Sequence, residues 1–145
     1  MTKTLLIGKA KELFVATVLV GRHLHVYLPL VDNGFDLVVT SPDGSRHLPV
    51  QVKYRAKITG FNLDREDATR FAEAGAVLAF GSKEANEQEF FFFPAKEWLQ
   101  VAQQYDRNRR DNKLVVYLSK SAEWAEGYRG QAGIDRCFAG LIRVA

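Results

Sequence analysis

The stretch FDLVVTSPDGSRHLPVQVK, residues 35–53, sets Asp36, Gln51 and Lys53 among apolar neighbours. Pro42, Asp43 and Gly44 divide it into two β-rich runs, 35–41 and 46–54, and Asp-Gly between such runs is a strong signal for a two-residue hairpin turn. A turn at Asp43-Gly44 sets Leu37 opposite Val50 and Asp36 opposite Gln51. Alternation then places Phe35, Leu37, Val39, Leu48, Val50 and Val52 on a core face, and Asp36, Val38, Thr40, Gln51 and Lys53 on the other. A carboxylate beside an amide oxygen offers ligands to a hard divalent cation such as Mg²⁺, which takes one or two carboxylates plus waters and phosphate. Lys53, one pleat along, is placed to orient a water or hold a phosphate. The alternative is a solvated face with an ordinary Asp–Lys cross-strand pair, worth less than about 1 kcal/mol.

Two further features favour the chemical reading. Lys53, Arg55 and Lys57 continue the loaded face into a basic strip suited to phosphates. Glu12 has Val15, Ala16 and Leu19 at its +3, +4 and +7 positions, so on a helix it points inward. An unpaired inward carboxylate is costly, and a metal or a lysine relieves that cost.

Other candidates are more equivocal. Asp32, before Asn33-Gly34, could help through a water but reads first as a turn residue. His23 and His25 would share a strand face, as in a two-histidine metal site, with no third ligand in register. Arg107, Arg109, Arg110 and Lys113 resemble a phosphate-contacting loop, although Asp106 and Asp111 dilute the charge to that of a plain solvated segment. Phe90–Phe93 reads as a buried strand, and Trp98 and Trp124 as core or interface residues. Walker, G-x-G-x-x-G and G-x-S-x-G motifs are absent from the sequence, which argues against NTPase, dinucleotide and serine-hydrolase chemistry.

The elements that must position these residues follow from periodicity and punctuation. Residues 5–20 form a helix stopped by Gly21, 23–31 a strand, 32–34 a turn, and 35–54 the hairpin. Residues 63–75 form a helix between Asp64 as N-cap and Gly75. Short strands follow at 76–80 and 89–93, then a helix opened by Pro94, a charged loop at 106–112, a strand at 113–119 and a final helix at 133–144. The order is that of an α/β domain with a mixed sheet and packed helices.

At this point the residues resemble the PD-(D/E)XK nuclease superfamily, the restriction-endonuclease-like fold. Its pattern is a helical Glu, an Asp on one strand and a (Glu/Asp/Gln)-x-Lys motif on the next, matched here by Glu12, Asp36 and Gln51-Val52-Lys53 over residues 8–55. The resemblance implies an αβββαβ core and Mg²⁺-dependent hydrolysis of DNA phosphodiester bonds, with Mn²⁺ able to substitute. It makes Asp36 the principal metal ligand, completes the shell with Gln51 and the carbonyl of Val52, lets Glu12 hold a water or a second ion, and has Lys53 position the nucleophile. Arg55, Lys57, Arg107, Arg109 and Arg110 would contact DNA. Gln51 departs from the usual acid, so a catalytically inactive domain binding nucleic acid or protein is the rival reading. A homodimer is implied by analogy, because a duplex needs two cuts.

Length and composition agree with this frame. The 145 residues suit one domain over 1–145, and 47% hydrophobic with 26% charged residues is usual for a globular protein. No apolar run is long enough to span a bilayer, and no secretory cleavage pattern follows the N-terminal MTKTLLIGKAKELF. The single Cys137 rules out an internal disulfide and a cysteine zinc cage and fits a reducing cytoplasm. A net charge of +3 permits a polyanionic partner without requiring one.

Overall fold

The apolar runs pair into a five-stranded sheet in a computed structural model, which describes residues 3–30, 34–55, 59–82, 86, 89–104 and 112–142. Asp32, Lys57, Arg107, Arg109 and Arg110 lie outside the described residues. The chain runs α1 (Lys3–Val20), β1 (His25–Tyr27), β2 (Leu37–Thr40), β3 (His47–Arg55), β4 (Gly60–Asp64), α2 (Arg65–Glu73), β5 (Val77–Ser82), β6 (Phe91–Pro94), α3 (Ala95–Gln104), β7 (Lys113–Tyr117), α4 (Leu118–Glu126) and α5 (Gly130–Ile142). The main sheet has the order β1-β2-β3-β5-β6, with β3 and β5 parallel and every other neighbour antiparallel. This is the expected mixed α/β sheet. None of the helices among the described residues is long and apolar enough to cross a membrane.

Alternation along the strands feeds two cores, one on each face. Leu37, Val39, Val50, Val52, Val77, Ala79 and Phe92 pack against Val15 and Leu19 of α1 and Ile134, Phe138 and Leu141 of α5. Leu78, Phe80, Phe91 and Phe93 meet α2 and α3 on the opposite face, together with a separate ribbon of β4 and β7. The β5 and β6 strands are therefore covered on both sides, which is why they read as unbroken apolar runs. Phe61 of β4 ties the ribbon down through ring contacts of 5.0–5.1 Å with Phe80, Phe91 and Phe93.

Several expectations are corrected. The hairpin keeps its register, Leu37 to Val50 and Thr40 to His47, but its loop has four residues, 42–45, rather than two. Pro42 and Asp43 occupy the middle of a turn closed by Gly44 N–H donating to the Ser41 carbonyl at 2.9 Å, with Gly44 at φ 75°. Asp43 Oδ1 accepts from Ser41 Oγ, Ser45 N–H and Ser45 Oγ at 2.7–3.0 Å, and the Ser41 bond foremost holds its carboxyl down to about 2. Phe35 does not join the Leu37 face. It packs against the opposite core, its ring 5.7 Å from Phe71, because regular pairing ends at Leu37 and alternation no longer dictates its side. Pro94 closes β6 opposite Val77 instead of opening α3. Helix α2 starts at Arg65 with Asp64 at the expected N-cap position, but Leu63 and Asp64 end β4, and the Asp64 side chain pairs with Lys113 at 2.9 Å and makes no capping hydrogen bond. The strand expected over 113–119 stops at Tyr117, where α4 begins; neither α4 nor β4 has a pattern strong enough to read alone. His23 falls outside β1 in a left-handed turn at φ 67°, so it and His25 do not share a strand face.

Candidate active site

Asp36 stands at the point where the β2–β3 ladder stops being regular. Its backbone N–H donates to the Val50 carbonyl at 3.1 Å, one residue out of the register of the pairs above it. Its carboxylate Oδ2 then accepts the Val52 N–H at 2.8 Å. A side-chain oxygen thus does the work of a strand carbonyl and fixes the carboxyl against β3. The expected direct facing of Asp36 and Gln51 is replaced by this bond.

Glu12 arrives from α1, inward as its apolar neighbours require, with a side chain 18% exposed. Its carboxyl is within hydrogen-bonding reach of Asp36. Two carboxyls in contact, partly out of water, resist double ionisation. Burial first of all, with the Glu12 charge and hydrogen bond adding to it, pushes the Asp36 carboxyl up to about 6, against the lowering effects of the Val52 N–H and of nearby Lys53. Lys9, one turn before Glu12, forms a 2.7 Å ion pair with Glu12 Oε2. Lys9, Glu12, Pro29, Leu30, Phe35 and Asp36 line a polar cavity of about 230 Å³.

Gln51 and Lys53 sit on β3 in register with Leu78 and Phe80 and are half-buried. They do not line that cavity. Lys53 acts on Asp36 through its charge, and Gln51 Oε1 is buried with no hydrogen-bond partner among the described residues. An orphaned buried acceptor is costly, so this oxygen is a natural ligand for a cation or its water. The Val52 side chain is in the core, 8% exposed, and only its backbone can contribute.

The oxygens on offer are the two carboxyls and, on the neighbouring strand, the Gln51 amide oxygen, while the Lys53 ammonium acts by charge and is no ligand. Among the described residues no three His, Cys, Asp or Glu side chains cluster, which does not fit a zinc-type cage. It does fit a hard cation satisfied by one or two carboxylates, waters and substrate oxygens. Arg55 donates to Asn62 Oδ1, which holds the start of the basic strip against β4.

The contact to Lys9 was not foreseen, although its spacing of three from Glu12 on a helix is a legible signal. Arg70 of α2 is a second addition. Its guanidinium lies 5.7 Å from the Phe35 ring and 4.7 Å from that of Phe71 and donates weakly to the Gly34 carbonyl at 3.5 Å, bracing the segment that leads into Asp36. No local pattern connects residues so far apart.

Solved structures share this arrangement of sheet and helices. A Holliday junction resolvase, Hjc from Archaeoglobus fulgidus, superposes with a TM-score of 0.54 at 17% identity, covering 77% of this chain and 84% of its own. The fold is the restriction-endonuclease-like fold of the PD-(D/E)XK nucleases. A bacterial homing endonuclease, I-Ssp6803I, matches this restriction-endonuclease-like chain with a TM-score of 0.52 at 20% identity, over 81% of this chain and 77% of the other. No family model and no curated protein matches the sequence. At such identities the likeness establishes the fold, and the chemistry of the restriction-endonuclease-like domain has to be argued from its own residues.

Proposed function

We propose that the chain is a Mg²⁺-dependent endonuclease that hydrolyses DNA phosphodiester bonds, with Mn²⁺ able to replace Mg²⁺. The observation that carries this reading is the contact between the Asp36 and Glu12 carboxyls, within electrostatic reach of Lys53, at the ragged end of a hairpin. Packing alone has no use for two carboxyls held together and partly dehydrated, whereas a divalent cation removes their repulsion. Asp36, Glu12 and the free Gln51 Oε1 would hold the ion, with the Val52 carbonyl as a further oxygen. Mg²⁺ bound there would polarise the scissile phosphate and lower the pKa of an attacking water. Lys53 would steady the nucleophile and offset the charge that develops on the phosphoryl oxygens. Arg55, with Lys57, Arg107, Arg109 and Arg110, would contact the DNA backbone. A cytoplasmic location belongs to the same proposal, since the lone Cys137 donates to the Phe92 carbonyl as a free thiol.

The rival, a non-catalytic domain that binds nucleic acid or protein, is favoured by one observation: Gln51 is neutral where an acid would bind a cation more strongly. Incubation of the purified chain with plasmid and Mg²⁺ or Mn²⁺ separates the two. Cleavage is expected for the wild type and loss of at least about a hundredfold for Asp36→Ala and Lys53→Ala, the scale of removing an electrostatic catalytic group. Cleavage that survives both substitutions rejects the site. A gel shift with no cutting under any divalent ion favours the binding domain.

A further inference from the structure

Glu12 already has a cation beside it. Lys9, three residues earlier on α1, sets its Nζ 2.7 Å from Glu12 Oε2, and both side chains line the polar cavity together with Asp36. The two partners are not held alike. Glu12 is packed in, with 18% of its side chain exposed, whereas Lys9 keeps 62% of its side chain in solvent at the end of a flexible four-carbon stem. A lysine ahead of its glutamate is also the weaker order for such a pair on a helix, and water screens the exposed ammonium. The carboxylate is therefore the fixed member and the ammonium the one that can leave.

The other lysines near the site do not share this position. Lys11 Nζ lies 5.9 Å from the Phe14 ring centre, Lys3 is exposed in the first turn of α1, and neither lines the cavity. Lys53 acts on Asp36 from β3 and stays outside the lining as well. Among the described residues that line the cavity, Lys9 alone is cationic. A divalent ion that takes Glu12 as a ligand meets this ammonium on the same carboxyl, and like charges at such a distance repel. The ion and Lys9 thus compete for Glu12. An ammonium turned off the carboxylate at the edge of the cavity is a point charge beside the place where a phosphate must enter, and lysine binds phosphate oxygens in that way.

We propose that Lys9 is a metal-gated phosphate contact: it neutralises Glu12 without a divalent ion and exchanges Glu12 for a phosphate oxygen of the substrate when the ion binds. Metal and DNA then strengthen each other's binding, and the coupling is the same whichever of the two is added first. The inference rests on the proposed metal site, yet it is read from binding and not from cleavage.

The full chain carrying Lys53→Ala, in which DNA should stay intact, is compared with the same chain carrying Lys9→Met as well. Calorimetric titration with Mg²⁺ alone should show the Lys9→Met protein binding several-fold tighter, since the ion has no ammonium to displace. Affinity for a short DNA duplex is then followed against salt, without Mg²⁺ and at one fixed Mg²⁺ concentration. With Mg²⁺ the Lys9→Met protein should lose about 1 from the log–log slope, the loss of one phosphate contact, and without Mg²⁺ the two slopes should agree. Lys9→Arg should keep the slope of its parent in both conditions. Equal or weaker Mg²⁺ binding by the Lys9→Met protein overturns the exchange, as does a slope difference that is missing in Mg²⁺ or is the same with and without it; the nuclease reading survives either result if the wild type cuts plasmid. A parent chain that takes up no Mg²⁺ overturns the exchange and the metal site together.

Discussion

Asp36 joins two roles in one side chain, a strand-ending hydrogen bond to Val52 and a carboxyl beside Glu12. The folded state raises its pKa from 3.8 to about 6, so this group favours folding below about 4 and loses that contribution as pH rises through about 6. Thermal melts without divalent ions should therefore show wild-type stability falling relative to Asp36→Asn between those pH values. The Asn variant keeps an oxygen for the Val52 N–H, and it should be the more stable protein at pH 7. A difference that is flat across the window would refute a dehydrated Asp36. Metal binding needs the ionised form, so Mg²⁺ affinity should climb over the same interval. Gln51 gives an independent test at this scale. Gln51→Glu adds a third carboxyl and should lower stability in the absence of metal while tightening Mg²⁺ about tenfold, or about 1.4 kcal/mol, by calorimetric titration. Looser binding in that variant would place Gln51 outside the ion's shell.

The hairpin and the β4–β7 ribbon do different work among the elements. The hairpin carries Asp36, Gln51 and Lys53, and its tight loop is held by Pro42, Gly44 and the triple acceptance at Asp43 Oδ1. The ribbon closes the far core by inserting Phe61, 1% exposed, among three phenylalanine rings. Phe61→Ala should cost about 3–5 kcal/mol in denaturant unfolding, the usual effect of truncating a buried aromatic ring. Its Mg²⁺ affinity, measured well below the melting temperature, should stay near that of the wild type, because Phe61 packs among the rings of Phe80, Phe91 and Phe93 and is not in the lining of the cavity that holds Glu12 and Asp36. A metal affinity that falls with the stability would show that the ribbon supports the site directly.

For the whole molecule, a net charge of +3 is modest, so its distribution matters more than its sum. Lys53 and Arg55 lead away from the carboxyl pair along one strand, and Arg55 is exposed while anchored to Asn62. DNA affinity should fall linearly with salt on a log–log plot, and Arg55→Ala should reduce that slope by about 1 while weakening all sequences alike. An unchanged slope would move the DNA path off this strip.

Much of this was legible in the chain itself. Period-two alternation around a Pro-Asp-Gly turn determined the Leu37–Val50 register, and continuous apolar runs marked β5 and β6, because such signals are carried by neighbours in sequence. Glu12, Asp36, Gln51 and Lys53 could be singled out for the same reason: a polar group amid apolar residues needs a partner. Only the tertiary structure decided which partner. The contact of Glu12 with Asp36, the orphaned Gln51 oxygen, the turning of Phe35 to the opposite core under Arg70, and the β4–β7 ribbon all join segments far apart in the chain. Their positions depend on how two layers of helices close over the sheet, a balance of burial and packing that no local spacing encodes.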